Sequence, residues 1–599
     1  MCGIVGYIGK KQAAPVLIGA LKRLEYRGYD SAGIAVNSGK KINVVKTKGK
    51  LNVLAEKIEG GNAVKGTTAI GHTRWATHGK PSDINAHPHT SGSGRIAVVH
   101  NGIIENYIEL KDFLIKKGYR FISETDTEVI AHLADFYYKG DLLKMTARLT
   151  QTLKGSYALE IISQDKPDEI AAVKKDSPLI IGLGDGENFI ASDIPAVLPY
   201  TRNVYIIEDY EIALIKREGV ALYNTELEHI NKEVFYVNWN VSAAEKGGYE
   251  HFMIKEIMEE PQAILNTVSQ MVGQGMMKID KIPDKINIVA CGSSYNVGVA
   301  GKYIIEQIAK IPVEVDTASE YRYRDALLTK NTLVVVISQS GETADTLAAL
   351  RESKRRGAET LSIVNVIGST IAREADRVLY TLAGPEISVA TTKAYSTQLA
   401  AVYMLALSLA KAEGKLSPEL EKYYGEELFK LPSLINKILE QKDKIKDLAS
   451  KYFKAKNVFF IGRGIDYALS LEGALKLKEI SYIHSEAYPA GELKHGPISL
   501  IEDGTLVVAL ATQEKLFEKT LNNIKEVKSR GAVVLSIVEE ENTQIEECSD
   551  DVFYLPKTNK MFTSSLAATI LQLFAYYVAN LNGNDVDQPR NLAKSVTVE

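Results

Sequence analysis

Residues 332–347 read TLVVVISQSGETADTL, and residues 505–521 read TLVVALATQEKLFEKTL. Each opens on an unbroken apolar run, passes through a short polar turn, and continues into a helix-type pattern. Apolar runs without alternation, set between helices, belong to parallel strands buried on both faces. The match extends in both directions. INIVACGSSYNVG (286–298) has the shape of NVFFIGRGIDYALS (457–470), and KRRGAETLSIV (354–364) that of VKSRGAVVLSIV (527–538). All three pairs are offset by about 170–174 residues, so the second half of the chain reads as two tandem copies of one α/β domain with a parallel sheet.

The copies part company where chemistry is expected. Ser338-Gln339-Ser340-Gly341-Glu342-Thr343 follows a strand and opens a helix in the first copy. Helix amino ends carry unpaired N–H groups and partial positive charge, which suits a phosphate. Small hydroxyls add donors, and Gly341 lets the backbone come close. The second copy has ATQEKL there, but only it carries HSEAYPAGELKHGP (484–497). Two unequal sites or one composite site remain open. Glu472, Lys476 and Glu479 fall on one helical face, and the interleaved Leu475, Leu477 and Ile480 predict that part of this charged face turns inward. No GxxxxGK[ST] and no strand–GxGxxG–helix unit occurs, so triphosphate and dinucleotide enzymes are not supported.

The first 240 residues have another texture. Short β-type runs (IAVVHNG, SYALEII, EIAAVKK, YEIALI) separated by Gly-rich turns predict an α+β domain. Gly182, Gly184 and Gly186 read as one turn. Cys2, directly after Met1, is the informative residue. Once the methionine is removed, an α-amine titrating near 8 sits on the same residue as a thiol and can take its proton. Asn101 and the backbone at Gly102 suit an oxyanion hole; Arg74 suits a carboxylate and Asp126 an ammonium. His87-Pro88-His89 has no partner at metal-ligand spacing, so no metal is expected.

The chain has 599 residues, 45% hydrophobic and 24% charged, with a formal charge of −4. That is a globular composition long enough for three or four domains, without the basic excess of a nucleic-acid binder. Cys2, Cys291 and Cys548 are too few and too scattered for a disulfide framework, and a cytoplasmic setting is expected. The start lacks a basic segment leading into an apolar stretch, so no secretory signal is expected. The apolar windows Leu399–Leu409 and Leu566–Ala579 read as buried helices, not membrane spans. The polar stretch 585–599, DVDQPRNLAKSVTVE, reads as a disordered tail and its Lys594 as a solvated charge.

From MCGIVGYIG onward the first part resembles the class II glutamine amidotransferases (N-terminal nucleophile fold), and the repeated half resembles tandem sugar isomerase (SIS) domains. The resemblance implies a four-layer αββα sandwich over 2–240, SIS domains over 241–430 and 431–584, and a tail, 585–599, that reaches the sugar site. It makes Cys2 the nucleophile, Arg74, Thr77, His78 and Asp126 the glutamine-binding residues, Asn101 and Gly102 the oxyanion hole, and Trp75 the gate of an ammonia path. In the sugar half it gives phosphate and hydroxyl contacts to Ser294, Ser338, Gln339, Ser340 and Thr343, with Val389 and Thr391 beside them. Thr391 stands where this family often has serine. Glu479 becomes the proton shuttle and His495 the ring-opening residue, supplied by the neighbouring subunit of a homodimer. Lys594 becomes the Schiff-base lysine, which reverses its compositional reading.

The reaction so implied takes fructose 6-phosphate and glutamine to glucosamine 6-phosphate and glutamate, the first step of amino sugar formation. Ammonia passes between two sites, and no nicotinamide, flavin, metal or pyridoxal cofactor is called for. The alternative is another SIS-containing amidotransferase or a deglycase acting on a related sugar phosphate.

Overall fold

The computed structural model describes residues 2–237, 246–271 and 276–597. The chain forms two compact units, Met1–Ala244 with Ala593–Glu599, and Glu245–Leu592. The sequence-based boundary at 240/241 lies outside the described residues. The one at 430/431 falls inside a helix, Pro418–Leu439, that runs unbroken across it.

In the first unit two antiparallel sheets face one another. The centre of one runs Asn188–Ala191, Gly3–Ile8, Thr68–Arg74, Ser31–Asn37. The centre of the other runs Ile212–Lys216, Lys166–Lys175, Gly155–Ser163, Ile96–Ile104. Strand side chains alternate between faces, so Ile4, Ile8, Ile70, Ala97, Val99, Ala158 and Ile162 fill the space between the sheets. Helices Thr127–Tyr137 and Leu142–Thr152 cover the second sheet through Val129, Ile130, Leu133 and Met145. On the first, Leu17 and Leu21 of Ala13–Lys22 pack over Gly71. These are the four layers of an αββα sandwich. Gly182 belongs to the strand Ile180–Leu183, so only Gly184 and Gly186 lie in the turn.

The second unit holds two five-stranded parallel sheets of the same strand order. In the first copy it is Val313–Thr317, Lys285–Ala290, Thr332–Ser338, Glu359–Val364, Arg377–Tyr380. In the second it is His484–Pro489, Asn457–Gly462, Leu506–Ala511, Val533–Glu539, Asp551–Leu555. Chain direction along the sheet reverses beside the first strand of each copy, and loops at the carboxyl ends of the flanking strands splay apart there into a crevice. Helices Lys393–Ala412 and Thr563–Leu581 lie in the core shared by the copies. By length and apolarity Thr563–Leu581 could cross a membrane; 89% of that window is buried, as in a core helix.

The polar tail corrects its compositional reading. Val586, Asp587, Pro589 and Thr597 are buried. Asn584 Nδ2 donates to Ile480 O and Ser481 O (3.1 and 3.2 Å), and Arg590 lies over the Tyr482 ring at 4.1 Å. Specific hydrogen bonds hold this segment together with the buried Val586 and Pro589.

Candidate active sites

In the first unit the strand period brings the chemistry together. Cys2 continues the inward face of Ile4, His72 that of Ile70, and Asn101 that of Val99, so all three meet at one end of the space between the sheets. Asn101 Nδ2 donates to Cys2 O at 2.9 Å. His72 Nε2 lies 3.1 Å from both Asn101 Oδ1 and His100 O. Both partners are acceptors, so Nε2 carries the hydrogen, and this fixes which end of the Asn101 amide faces Cys2. Burial pushes the His72 pKa down to about 3, so the ring stays neutral.

The thiol of Cys2 receives the Trp75 N–H at 3.3 Å and faces Trp75 O at 3.5 Å. Burial raises its pKa, against the pull of neighbouring positive charge, so a base must take the proton before attack. Gly102 has φ +132°, and an added Cβ would lie 2.7 Å from Ser156 C on the adjacent strand and closer still to its oxygen. Only glycine fits.

Arg74 is buried, with one guanidinium nitrogen donating to His78 O and to Gly79 O (3.1 Å). Its other terminal nitrogen, Nη1, is buried with no hydrogen-bond partner among the described residues. Asp126 Oδ2 accepts the Ile104 N–H at 2.9 Å. His78 offers Arg74 its carbonyl, while its ring lies edge-on to Tyr107. Thr77 is exposed. His87 and His89, considered above for a metal, are buried; the His87 ring stacks on His72 at 4.1 Å and meets His89 edge-on. Sequence reasoning missed His72 and also Asp30, whose Oδ2 accepts the Ala76 N–H at 2.8 Å and holds the turn after Arg74. The alternation GHTR was the available signal for His72.

In the second unit the first copy's switch-point crevice lies between the turn 291–294 and the turn 338–343. Ser338 Oγ meets Thr343 Oγ1 at 3.0 Å and accepts the Gly341 N–H at 3.1 Å, and Ser340 Oγ accepts the Glu342 N–H at 3.2 Å. Gln339 O accepts the Asn365 N–H at 3.2 Å. Thr343 caps the helix Ala344–Arg355. Across the crevice Ser294 Oγ donates to Gln398 Oε1 at 3.0 Å. Val389 is buried and Thr391 half-buried, on the loop before the helix Lys393–Ala412. Among the described residues, buried polar atoms in and beside these elements without a hydrogen-bond partner include Ser369 Oγ, Ser388 Oγ, Thr392 Oγ1 and Gln398 Nε2. None of the four was singled out from sequence, because serine and threonine at loop ends are common.

The second copy contributes a charged helix face. On Ile465–Ser481, Glu472 and Lys476 are buried. Lys476 Nζ lies 2.6 Å from Glu479 Oε2 and 3.5 Å from Glu472 Oε1. Burial opposes the lysine's charge, yet the two carboxylates hold its pKa above the ordinary value. Glu472 accepts from Ser293 Oγ (2.9 Å) and Asn296 Nδ2 (2.8 Å) of the first copy. Glu479 is thus tied through Lys476 and Glu472 to the helix that carries Ser294. His495 is exposed at the end of the 3₁₀ segment Ala490–His495, and among the described residues no polar contact links it to Glu479 or to the 338–343 turn. Lys594 is half-buried in the stretch that clusters with the first unit.

The equivalent turn of the second copy is already filled. Asp466, at the position matching Ser294, places its carboxylate on the Thr512 N–H (2.8 Å) and hydroxyl (2.6 Å). Burial pushes its pKa up to about 6. An internal carboxylate stands where the first copy leaves donors open.

An amidotransferase-type thiol site in one unit and a sugar-phosphate-type crevice in the other define a glutamine-dependent enzyme of two halves. Family models agree: a glutamine amidotransferase domain matches residues 72–199, and a SIS domain matches 281–408 and 451–580. The chain is 57% identical to the glutamine–fructose-6-phosphate aminotransferase (isomerizing) of Caldanaerobacter subterraneus and 49% identical to that of Thermus thermophilus, over the full length of both chains in each case. The C-terminal domain of glucosamine-fructose-6-phosphate aminotransferase from Francisella tularensis superposes with a TM-score of 0.55 at 41% identity, covering 58% of this chain and all of that one. The chain belongs to the glutamine–fructose-6-phosphate aminotransferase (isomerizing) family.

Proposed function

We propose that this protein transfers the amide nitrogen of glutamine to fructose 6-phosphate, giving glutamate and glucosamine 6-phosphate. The observation that carries the reading is the Cys2 thiol beside an amide donor whose orientation is fixed, with an unpartnered guanidinium nitrogen of Arg74 in the same unit.

The Cys2 sulfur, its proton taken by the α-amine once Met1 is removed, attacks the side-chain carbonyl carbon of glutamine. The oxyanion is held by Asn101 Nδ2 and the Gly102 N–H. Arg74 takes the glutamine carboxylate and Asp126 its ammonium, with Thr77 and His78 closing the pocket. The C–N bond breaks, ammonia leaves, and water hydrolyses the thioester to glutamate. Trp75 gates the ammonia, which has to stay out of bulk water because protonation removes its nucleophilic lone pair.

In the sugar half the hydroxyls of Ser338, Ser340 and Thr343, the Gln339 side chain and the helix amino end hold the phosphate, with Ser294, Val389 and Thr391 around the sugar. His495 assists ring opening; its exposed position supports a homodimer in which it serves the neighbouring subunit. Lys594 forms an imine at C2 with loss of water, ammonia displaces the lysine, and Glu479 carries a proton from C1 to C2. Lys476 Nζ, 2.6 Å from Glu479 Oε2, holds that carboxylate in place. A cytoplasmic setting belongs to the same reading, supported by three free cysteines.

The test is to incubate the full chain with glutamine and fructose 6-phosphate. Glucosamine 6-phosphate and glutamate are expected in equal amounts, and Cys2→Ala should abolish glutamine-dependent synthesis while sparing conversion of fructose 6-phosphate to glucose 6-phosphate. Loss of both activities in that variant would undo the assignment of two sites.

A further inference from the structure

Within the tail that composition marks as disordered, one acidic residue, Asp587, touches elements of the sugar half from three sides. Asp587 spreads its carboxylate over the start of the short helix Phe252–Met258. Oδ2 accepts the Phe252 N–H and Oδ1 the Met253 N–H, both at 2.9 Å. Lys246 Nζ lies 3.5 Å from Oδ2. The backbone carbonyl of Asp587 accepts the Val389 N–H at 3.1 Å. The carboxylate is thereby engaged by the two N–H groups that open the helix, donors that a helix start otherwise leaves short, and by the partly exposed Lys246.

The helix Phe252–Met258 passes the constraint onward. Its Glu256 accepts the N–H groups of Ile387 and Ser388 with one oxygen (2.5 and 3.2 Å). Glu386 closes the loop on itself by accepting the N–H groups of Thr392 and Ala394, both at 3.0 Å. The loop 386–392 therefore hangs from Glu256, from Glu386 and from the main chain of Asp587. It bears Val389 and Thr391, together with the unpartnered hydroxyls of Ser388 and Thr392. Three residues upstream of Asp587, Asn584 is fastened to the carbonyls of Ile480 and Ser481, directly after Glu479. Seven residues downstream in sequence is Lys594.

We infer that Asp587 is a positioning residue for the sugar half: it sets the Val389–Thr391 loop in register and fixes the point from which the chain departs toward Lys594. The inference rests on the functional reading above. It makes the tail's composition intelligible, since a segment with little apolar area beyond Val586 and Pro589 is placed by a carboxylate and a carbonyl as well.

The experiment uses the full-length chain with Asp587→Ala and, beside it, Glu256→Ala at the far end of the same helix. Three quantities are compared with wild type: glutamine hydrolysis without sugar, kcat and KM for fructose 6-phosphate in synthesis, and the melting temperature. Small misplacements of binding groups cost on the order of tenfold to a hundredfold in rate. Asp587→Ala should therefore lower kcat/KM for fructose 6-phosphate by about that much, with both kcat and KM moving, and leave kcat/KM for glutamine hydrolysis unchanged. Glu256→Ala should do the same, and the double variant should lose less than the product of the two, because both act through one loop.

If Asp587→Ala proves too unstable to purify, Asp587→Asn, which keeps one acceptor and the shape, serves in its place with the same expectations. A wild-type enzyme that makes no glucosamine 6-phosphate would overturn the functional reading. An active wild type whose Asp587 variants melt lower, yet keep kcat/KM for fructose 6-phosphate within about twofold, would overturn the inference alone.

Discussion

His72→Phe tests the argument that the glutamine site depends on a neutral imidazole touching neither substrate nor thiol. Phenylalanine keeps the ring stacked on His87, whose centroid lies 4.1 Å away, but removes the one hydrogen shared between Asn101 Oδ1 and His100 O. In the wild type a flipped Asn101 would set its NH₂ against the His72 N–H and its oxygen against Cys2 O, both repulsive. Without the imidazole only the contact at Cys2 O still discriminates. The loss is about one net hydrogen bond of orientational preference, on the order of 1 kcal/mol, or roughly fivefold in the population facing the right way. Two buried acceptors left short add a stability cost of about 1–3 kcal/mol each. The ceiling on the catalytic effect is the loss of an oxyanion donor, about 10²–10³ in kcat. Glutamine hydrolysis should therefore fall roughly fivefold to a hundredfold in kcat with KM for glutamine unchanged. Asn101→Ala should fall further, and adding His72→Phe to it should cost nothing more. Steady-state glutaminase assays at a temperature where both variants are folded decide it. A His72→Phe enzyme with wild-type kcat, beside an Asn101→Ala enzyme that has lost its activity, would refute the reasoning.

Acid should weaken the first unit through the same buried rings. Burial lowers the pKa values of His72, His87 and His89, so these rings bind protons in the unfolded chain before they do in the folded one. Their contribution is intact above the ordinary value near 6.5 and is lost as pH falls below it. At pH 5.5 each costs on the order of 1 kcal/mol relative to pH 7.5. Trp75 lies in that unit, so urea unfolding followed by its fluorescence reads the unit, and a midpoint equal at the two pH values would contradict the prediction. In the sugar half, Gly341→Ala places a Cβ 2.5 Å from Ser369 Cβ at φ +64°; about 1–2 kcal/mol of backbone strain and a displaced phosphate turn should lower turnover of fructose 6-phosphate and leave glutamine hydrolysis intact, as paired assays would reveal.

Much of the fold was legible because it rests on pattern. Unbroken apolar runs at a constant offset specify two parallel sheets, and short β-type runs such as IAVVHNG and SYALEII between Gly-rich turns specify the strands of the first unit, which the structure buries on both faces. The 338–343 turn was legible because several small hydroxyls and a glycine crowd one helix start. What stayed hidden depends on partners distant in sequence. His72 lies in a strand like any other until the facing sheet puts Asn101 opposite it. Asp587 carries no local signal: the backbone partners of its carboxylate are more than three hundred residues away. The tail was misjudged for that reason, since composition measures apolar area and cannot register N–H groups waiting for a carboxylate.

The duplicated half also shows how one fold, used twice, gives one sugar site. Both copies splay loops at the same switch point, and both have donors at the turn after the second central strand. In the first copy Ser294 brings a neutral hydroxyl to the crevice; in the second Asp466 brings a carboxylate, which occupies the Thr512 N–H and hydroxyl itself. Two anions cannot share those donors, so the second crevice is closed to phosphate by its own side chain. Freed from binding, that copy's helix Ile465–Ser481 turns Glu472 toward the first copy and holds Lys476 and Glu479 in line behind it. On the functional reading proposed above, this change of residue type at one position of the repeat would separate a copy that binds the phosphate from a copy that supplies charge, and the two copies would then compose one site.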